Sequence, residues 1–125
     1  MHRILILLLF ALSCSSAGQQ QNLEIINAEQ LIQLREEGVQ VVDIRTLREF
    51  EQGHLPNVIH EDFLQAGFIK RMQQFETKDA IIIHCASGGR SAKASKLLIE
   101  AGFTQVYDYA GGFIDWKSKG LTIEQ

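Results

Sequence analysis

The sequence predicts an α/β domain, a mostly parallel sheet with helices on both faces. Three observations predict it. Strand signals occur at Val39–Ile44, Ala80–His84 and Gln105–Tyr109, either β-branched or continuously apolar. Helical signals separate them. The chain has 125 residues, the size of one domain.

Each element has a local cause. Asn27 with Gln30 three positions on is a capping box, and Leu31, Ile32 and Leu34 supply an apolar face. Gly38 can end that helix. Val39–Ile44 then reads as a strand. Thr46 and Glu49 form a second capping box, opening a short helix that Gly53 can close. Val58-Ile59 suits a brief strand. Leu64, Phe68, Met72 and Phe75 recur at helical spacing, so the pattern predicts a helix over 62–75, interrupted by Gly67. Ala80–His84 is the most apolar strand. Ser91–Ala101 reads as a helix stopped by Gly102, Gln105–Tyr109 as a strand, and Phe113–Lys119 as a last helix after the Gly111-Gly112 turn.

Composition excludes some classes. Hydrophobic residues are 46% and charged residues 22%, with one proline, which is ordinary for a globular domain. The net charge of -3, from 12 basic and 15 acidic residues, lacks the basic footprint of a nucleic-acid binder.

The N-terminus stands apart. Arg3 precedes an apolar run, Ile4–Leu12, far short of the roughly 20 residues that span a bilayer as a helix. It has the length of a signal-peptide core, so residues 1–17 are expected to direct export to a bacterial periplasm. Two endings fit. Cys14 follows Ala11-Leu12-Ser13 as in a lipoprotein signal, which would anchor the protein through a lipidated Cys14. Ser15-Ser16-Ala17 is alternatively a small-x-small cleavage site. Residues 18–22 then read as a polar tether and 23–125 as the domain. Removing 1–17 takes away Arg3 and no acid, so the charge falls from -3 to -4. Either ending leaves Cys85 as the single thiol, with no intramolecular disulfide partner. An unpaired thiol in an oxidising compartment is either buried or kept for its reactivity.

Cys85 directly follows the Ala80–His84 strand, at the sheet end where α/β ligands bind. Ala86-Ser87-Gly88-Gly89 comes next, then Arg90 and Ser91. Glycines let successive backbone N–H groups converge as an anion nest. The N-terminus of the following helix adds donors and a favourable dipole. Those donors favour a thiolate over a thiol. Arg90 can grip an oxyanion with its planar fork. The segment therefore suits a thiolate nucleophile acting on an anion. His84 reads instead as a sheet residue bonded internally. Asp43, Arg45 and Glu49 suit an ion-pair or capping network. No metal or organic cofactor is called for.

The segment Cys85-Ala86-Ser87-Gly88-Gly89-Arg90-Ser91 resembles the active-site loop of rhodanese-like domains. Two further segments resemble the same family, in order. The first is Asp43-Ile44-Arg45, Glu49-Phe50 and Gly53-His54-Leu55-Pro56. The second is Gly111-Gly112, Trp116 and Gly120. The resemblance implies a five-stranded fold and a sulfur transfer in which Cys85 takes a sulfane sulfur from a donor such as thiosulfate. It implies a persulfide that passes its sulfur to cyanide or a thiol, with no cofactor. It agrees with a scaffold role for Glu49 and leaves Arg45 as a further wall of the site. By their own residue types Gly53, His54 and Pro56 read as a rigid turn and Trp116 as a core lid, all structural. The stretch Asn57-Val58-Ile59-His60 departs from the family's usual Gly-Ala-x-Asn, and Glu61-Asp62 add negative charge. That departure bears on the acceptor.

Two rivals stand beside this reading. Cys-dependent phosphatases and arsenate reductases use a Cys–Arg loop, but four residues, Ala86 to Gly89, separate Cys85 from Arg90, one fewer than in such phosphatases. A non-catalytic rhodanese-like binding module is the other, and the presence of Cys85 and Arg90 speaks against it.

Overall fold

The computed structural model describes residues 18–125, so the expected export segment and Cys14 lie outside the described residues. Five strands form one sheet: β1 Asn22–Ile26, β2 Gln40–Asp43, β3 Ile59–His60, β4 Ile81–His84 and β5 Gln105–Tyr109, in the order β1-β5-β4-β2-β3. Every pairing in it is parallel. The helices are α1 Ala28–Glu36, α2 Leu47–Glu51, α3 Phe68–Met72, α4 Gly89–Glu100 and α5 Gly112–Ser118. Among the described residues no helix is long and apolar enough to cross a membrane.

β4 is the central strand and all four of its residues are buried, which is why it reads as an unbroken apolar run. Strand side chains alternate between faces. On one face Val42, Ile81, Ile83 and Val106 pack with Phe68 and Met72 of α3 and Ala94 and Leu98 of α4. On the other, Val41, Ile82 and Tyr109 pack with Ala28 and Leu31 of α1 and Trp116 of α5. Both expected capping boxes form, at Asn27 and at Thr46, each with its side chain accepting the N3 backbone N–H and the N3 side chain returning the bond.

Three expectations shift. β1 had no strand signal, because four of its five residues are exposed and little apolar pattern marks it. It begins at Asn22, the last residue of the expected tether, and the Gln21 side chain donates to the Phe103 carbonyl at 3.0 Å. The helix expected over 62–75 is only Phe68–Met72. Gly67 turns the chain with φ +81°, and Phe63 rather than Leu64 meets the core, edge-on to Phe68. Leu64 is 62% exposed, so the apparent helical spacing counted the wrong residue. Finally, α4 starts at Gly89, two residues before Ser91, which places Arg90 and Ser91 in its first turn.

Candidate active site

β4 ends at His84, and Cys85 emerges at the carboxyl edge of the sheet. The Cys85 and Ala86 carbonyls accept from the Phe113 and Ile114 N–H groups of α5, at 2.9 and 3.0 Å. That docking needs two glycines. Gly112 has φ +66°, and a Cβ there would sit 2.5 Å from the Ala86 oxygen. Gly88 has φ +101°, and its Cβ would sit 2.6 Å from the Ala110 oxygen. Only glycine tolerates both the conformation and the approach.

The loop then curls around the thiol. The Gly88 N–H donates to Cys85 Sγ at 3.1 Å, and the Ser91 hydroxyl lies 3.6 Å from the sulfur. Burial pushes the Cys85 thiol up. Hydrogen bonding from Ser91, through its backbone and its hydroxyl, and from the Gly88 and Ser87 backbones outweighs it, so the pKa falls below that of an ordinary cysteine. Cys85 is 1% exposed. Of the sequence-based site, Ser87, Gly88 and Ser91 thus bond toward the sulfur, while the Ala86 carbonyl docks on α5 and Gly89 opens α4.

Arg90 is held at its rim. Its guanidinium makes a forked ion pair with Glu49, Nη1 to Oε1 at 2.7 Å and Nη2 to Oε2 at 3.0 Å. Glu49 also closes the Thr46 capping box, and the Arg90 bond above all holds its carboxyl down at about 2. Of the five N–H donors on Arg90, this fork uses two.

Arg45, expected as a wall of the site, is turned elsewhere. It is 2% exposed, binds Asp43 through Nε at 3.0 Å and Nη2 at 2.7 Å, and donates to the Gly53 carbonyl at 2.7 Å. Its guanidinium carbon lies 4.1 Å from the Phe113 ring centre. Burial demands that its charge be paired, and Asp43 does so. His84 faces the same carboxylate, Nε2 to Oδ2 at 3.8 Å, and burial lowers its pKa, so it is neutral. Its Nδ1 lies 3.0 Å from the Cys85 carbonyl. This is the internal role read from sequence.

The other structural residues are also placed. His54 stacks on Phe50 at 4.0 Å and pairs by a single antiparallel bridge with Glu124. Pro56 follows the buried Leu55 in that turn. Trp116 is buried with Nε1 donating to the Thr122 carbonyl. Glu61 is paired with Arg71 at 2.8 Å, and Asp62 accepts the Leu64 N–H, so both acids are engaged. Among the described residues no group of three or more His, Cys, Asp and Glu could hold a metal ion.

Sequence reasoning missed Asp108. It lies in β5, 3% exposed, with Oδ1 lacking a hydrogen-bond partner among the described residues. Burial raises its pKa, and hydrogen bonding with Ser91 pulls it part way back. The signal was present: an acid inside the strand Gln105-Val106-Tyr107-Asp108-Tyr109.

Residues 27–119 match the rhodanese-like domain family. The chain belongs to that family. Thiosulfate sulfurtransferase 16 of Arabidopsis thaliana is 38% identical over 94 residues, 67% of this chain and 78% of that protein. Thiosulfate sulfurtransferase GlpE of Pseudomonas aeruginosa is 38% identical over 94 residues, covering 74% and 83%. A crystal structure of a rhodanese-related protein from Thermoplasma volcanium superposes with a TM-score of 0.71 at 26% identity, covering 81% of this chain and 97% of that one. The five-stranded parallel sheet is thus the rhodanese-like fold. In it the Cys85 loop follows β4, the segment from Asp43 to Pro56 runs from the end of β2 through α2, and Gly111 to Gly120 spans α5.

Proposed function

We propose that this rhodanese-like domain is a sulfurtransferase that carries a sulfane sulfur on Cys85, taken from thiosulfate or a similar small anion. The carrying observation is the set of polar groups around Cys85 Sγ: the Gly88 N–H donates to it at 3.1 Å, and the Ser91 hydroxyl, 3.6 Å away, accepts from the thiol and can donate to a thiolate. Such a set stabilises a thiolate and the terminal sulfur of a persulfide alike. The near-complete burial of Cys85 favours a small donor.

The Cys85 thiolate attacks the outer sulfur of thiosulfate. A sulfur–sulfur bond to Cys85 forms as the bond to the sulfonate sulfur breaks, and sulfite leaves with that electron pair. An acceptor thiolate, or cyanide, then attacks the terminal sulfur, and Cys85 leaves as the thiolate. Each half is a displacement through a covalent intermediate, so ping-pong kinetics follow. The unused Arg90 donors meet the incoming anion. The sulfurtransferase relatives support this chemistry, and the short Cys–Arg loop favours a persulfide over a phosphoryl group.

The reading includes export, supported by the Ile4–Leu12 apolar run and the small residues after it. Cell fractionation tests it: membrane recovery that Cys14→Ser abolishes supports a lipid anchor, and a soluble periplasmic wild type supports cleavage.

The main test is intact-mass spectrometry of the reduced protein before and after thiosulfate. The expected result is a gain of one sulfur atom that cyanide removes and that Cys85→Ser lacks. A reduced, alkylatable Cys85 that gains nothing overturns the proposal.

A further inference from the structure

Arg90 is the only charged residue from Cys85 to Ala92. It stands in the first turn of α4 between Gly88 and Ser91, the two residues whose polar groups meet Cys85 Sγ. It is the cation of the site, because Arg45 is buried and closed on Asp43. Its fork is nevertheless filled. Glu49 takes Nη1 at 2.7 Å and Nη2 at 3.0 Å, one carboxylate oxygen on each. That is the geometry in which a guanidinium takes two oxygens of an incoming oxyanion.

Glu49 does not need Arg90 in order to cap α2. Its Oε1 already accepts from the Thr46 hydroxyl at 3.0 Å and the Thr46 N–H at 3.3 Å, whereas Oε2 is held by Arg90. With its pKa down at about 2, the carboxyl is charged throughout the range in which a thiolate forms.

We propose that Glu49 is a specificity-determining residue: its carboxylate occupies the Arg90 fork as an internal competitor of the donor anion, and so weakens the hold of the site on small oxyanions. This rests on Cys85 being the reacting thiol and Arg90 the anion contact. A carboxylate fixed on α2 competes at high effective concentration. An oxyanion must displace it or bind through the remaining N–H groups of a guanidinium whose charge is already matched. A donor that also sets a sulfane sulfur beside the Gly88 N–H and the Ser91 hydroxyl has a second hold, and its reaction with Cys85 draws it on. Sulfate and phosphate have no sulfur to give and lack that hold. Glu49 thus lowers affinity for every small oxyanion, and the loss falls hardest on the inert ones.

The test compares two alkylating probes on the intact protein. Iodoacetate is a small anion, and iodoacetamide is its neutral counterpart. With either, the Cys85 thiolate forms the sulfur–carbon bond and iodide leaves with the electron pair. Intact mass gives both rates at one pH. Their ratio reads anion uptake, because the thiolate fraction and the access to Cys85 divide out. Glu49→Gln removes the charge and keeps a side chain that serves a capping box. Its iodoacetate-to-iodoacetamide ratio should rise several-fold above that of the wild type. Sulfate should protect its thiol at several-fold lower concentration. An unmoved ratio overturns the proposal and leaves Glu49 as a cap. A lower ratio overturns it too, since Glu49 would then serve only to aim Arg90 at the anion. Equal protection by sulfate in both proteins also overturns it. If E49Q does not fold, Glu49→Ala is read in the same way, with the Thr46 hydroxyl still accepting the N–H of residue 49. The thiosulfate KM is the second readout. It should fall several-fold with a smaller change in kcat, and a KM that is unchanged or raised counts against the proposal. The alkylation ratio needs no sulfur transfer, so failure here is distinct from failure of the sulfurtransferase reading.

Discussion

Two buried polar clusters flank the central strand on opposite faces of the sheet, and they are built to different ends. On the α1–α5 face, Asp43 and Arg45 close on each other with a forked ion pair, and the Gly53 carbonyl takes another guanidinium N–H. On the α4 face lie Ser91, Ser95 and Asp108, and among the described residues Ser95 Oγ and Asp108 Oδ1 have no hydrogen-bond partner. Asp43 and Arg45 spend their hydrogen-bonding capacity on each other and on the Gly53 carbonyl, which fixes the backbone from β2 to the His54 turn, while His84 Nε2 beside them has no hydrogen-bond partner among the described residues. The second cluster has no ion pair of this kind. Satisfied buried polar groups specify a structure.

Breaking the closed cluster should have the largest effect on stability. Asp43→Ala strands the buried Arg45 charge and should cost about 3–5 kcal/mol in urea unfolding. If it costs no more than Asp108→Asn, the contrast between the clusters fails. Gly112→Ala attacks the seam between the Cys85 loop and α5. Its Cβ would collide with the Cys85 and Ala86 oxygens at 2.6 and 2.5 Å, at φ +66°. A loss of about 1–3 kcal/mol, with a larger fall in sulfur transfer, is expected. Wild-type kinetics in that variant would mean that the seam does not shape the loop.

Arg90→Ala should act on the donor. Its expected signature is a raised KM for thiosulfate with a smaller change in kcat, since an anion contact is lost. Identical steady-state constants would place Arg90 wholly in the Glu49 bridge.

The smallest effect belongs to that bridge. Because Glu49 is depressed to about 2, the bridge contributes fully above the unfolded carboxyl pKa and is lost as the pH falls from there toward 2. Its side chains are 24% and 33% exposed, so solvent screening holds the contribution to about 1 kcal/mol or less. Thermal melts of wild type and Glu49→Gln should differ slightly at neutral pH and converge in acid. A gap that widens in acid would reverse the sign.

Much of this was legible in the chain. The Asn27 and Thr46 caps, the apolar β4 and the Cys85–Ser91 loop are local patterns, written within a few consecutive residues, and they form as read. The sequence by itself determined the α/β class, the place of the thiol at the end of the central strand and the glycines that shape the loop around it. Tertiary structure decided what depends on partners distant in sequence. It drew β1 into the sheet through its pairing with β5, which an exposed edge strand does not advertise. It confined the expected 62–75 helix to Phe68–Met72, beginning after Gly67, and gave the core to Phe63. It turned Arg45 inward to Asp43, bound Arg90 to a glutamate 41 positions away, and buried Asp108 in β5 opposite Ile83. Charge pairing and burial are properties of neighbours in space, so a residue's type states what it can do, and the fold selects which of those things it does.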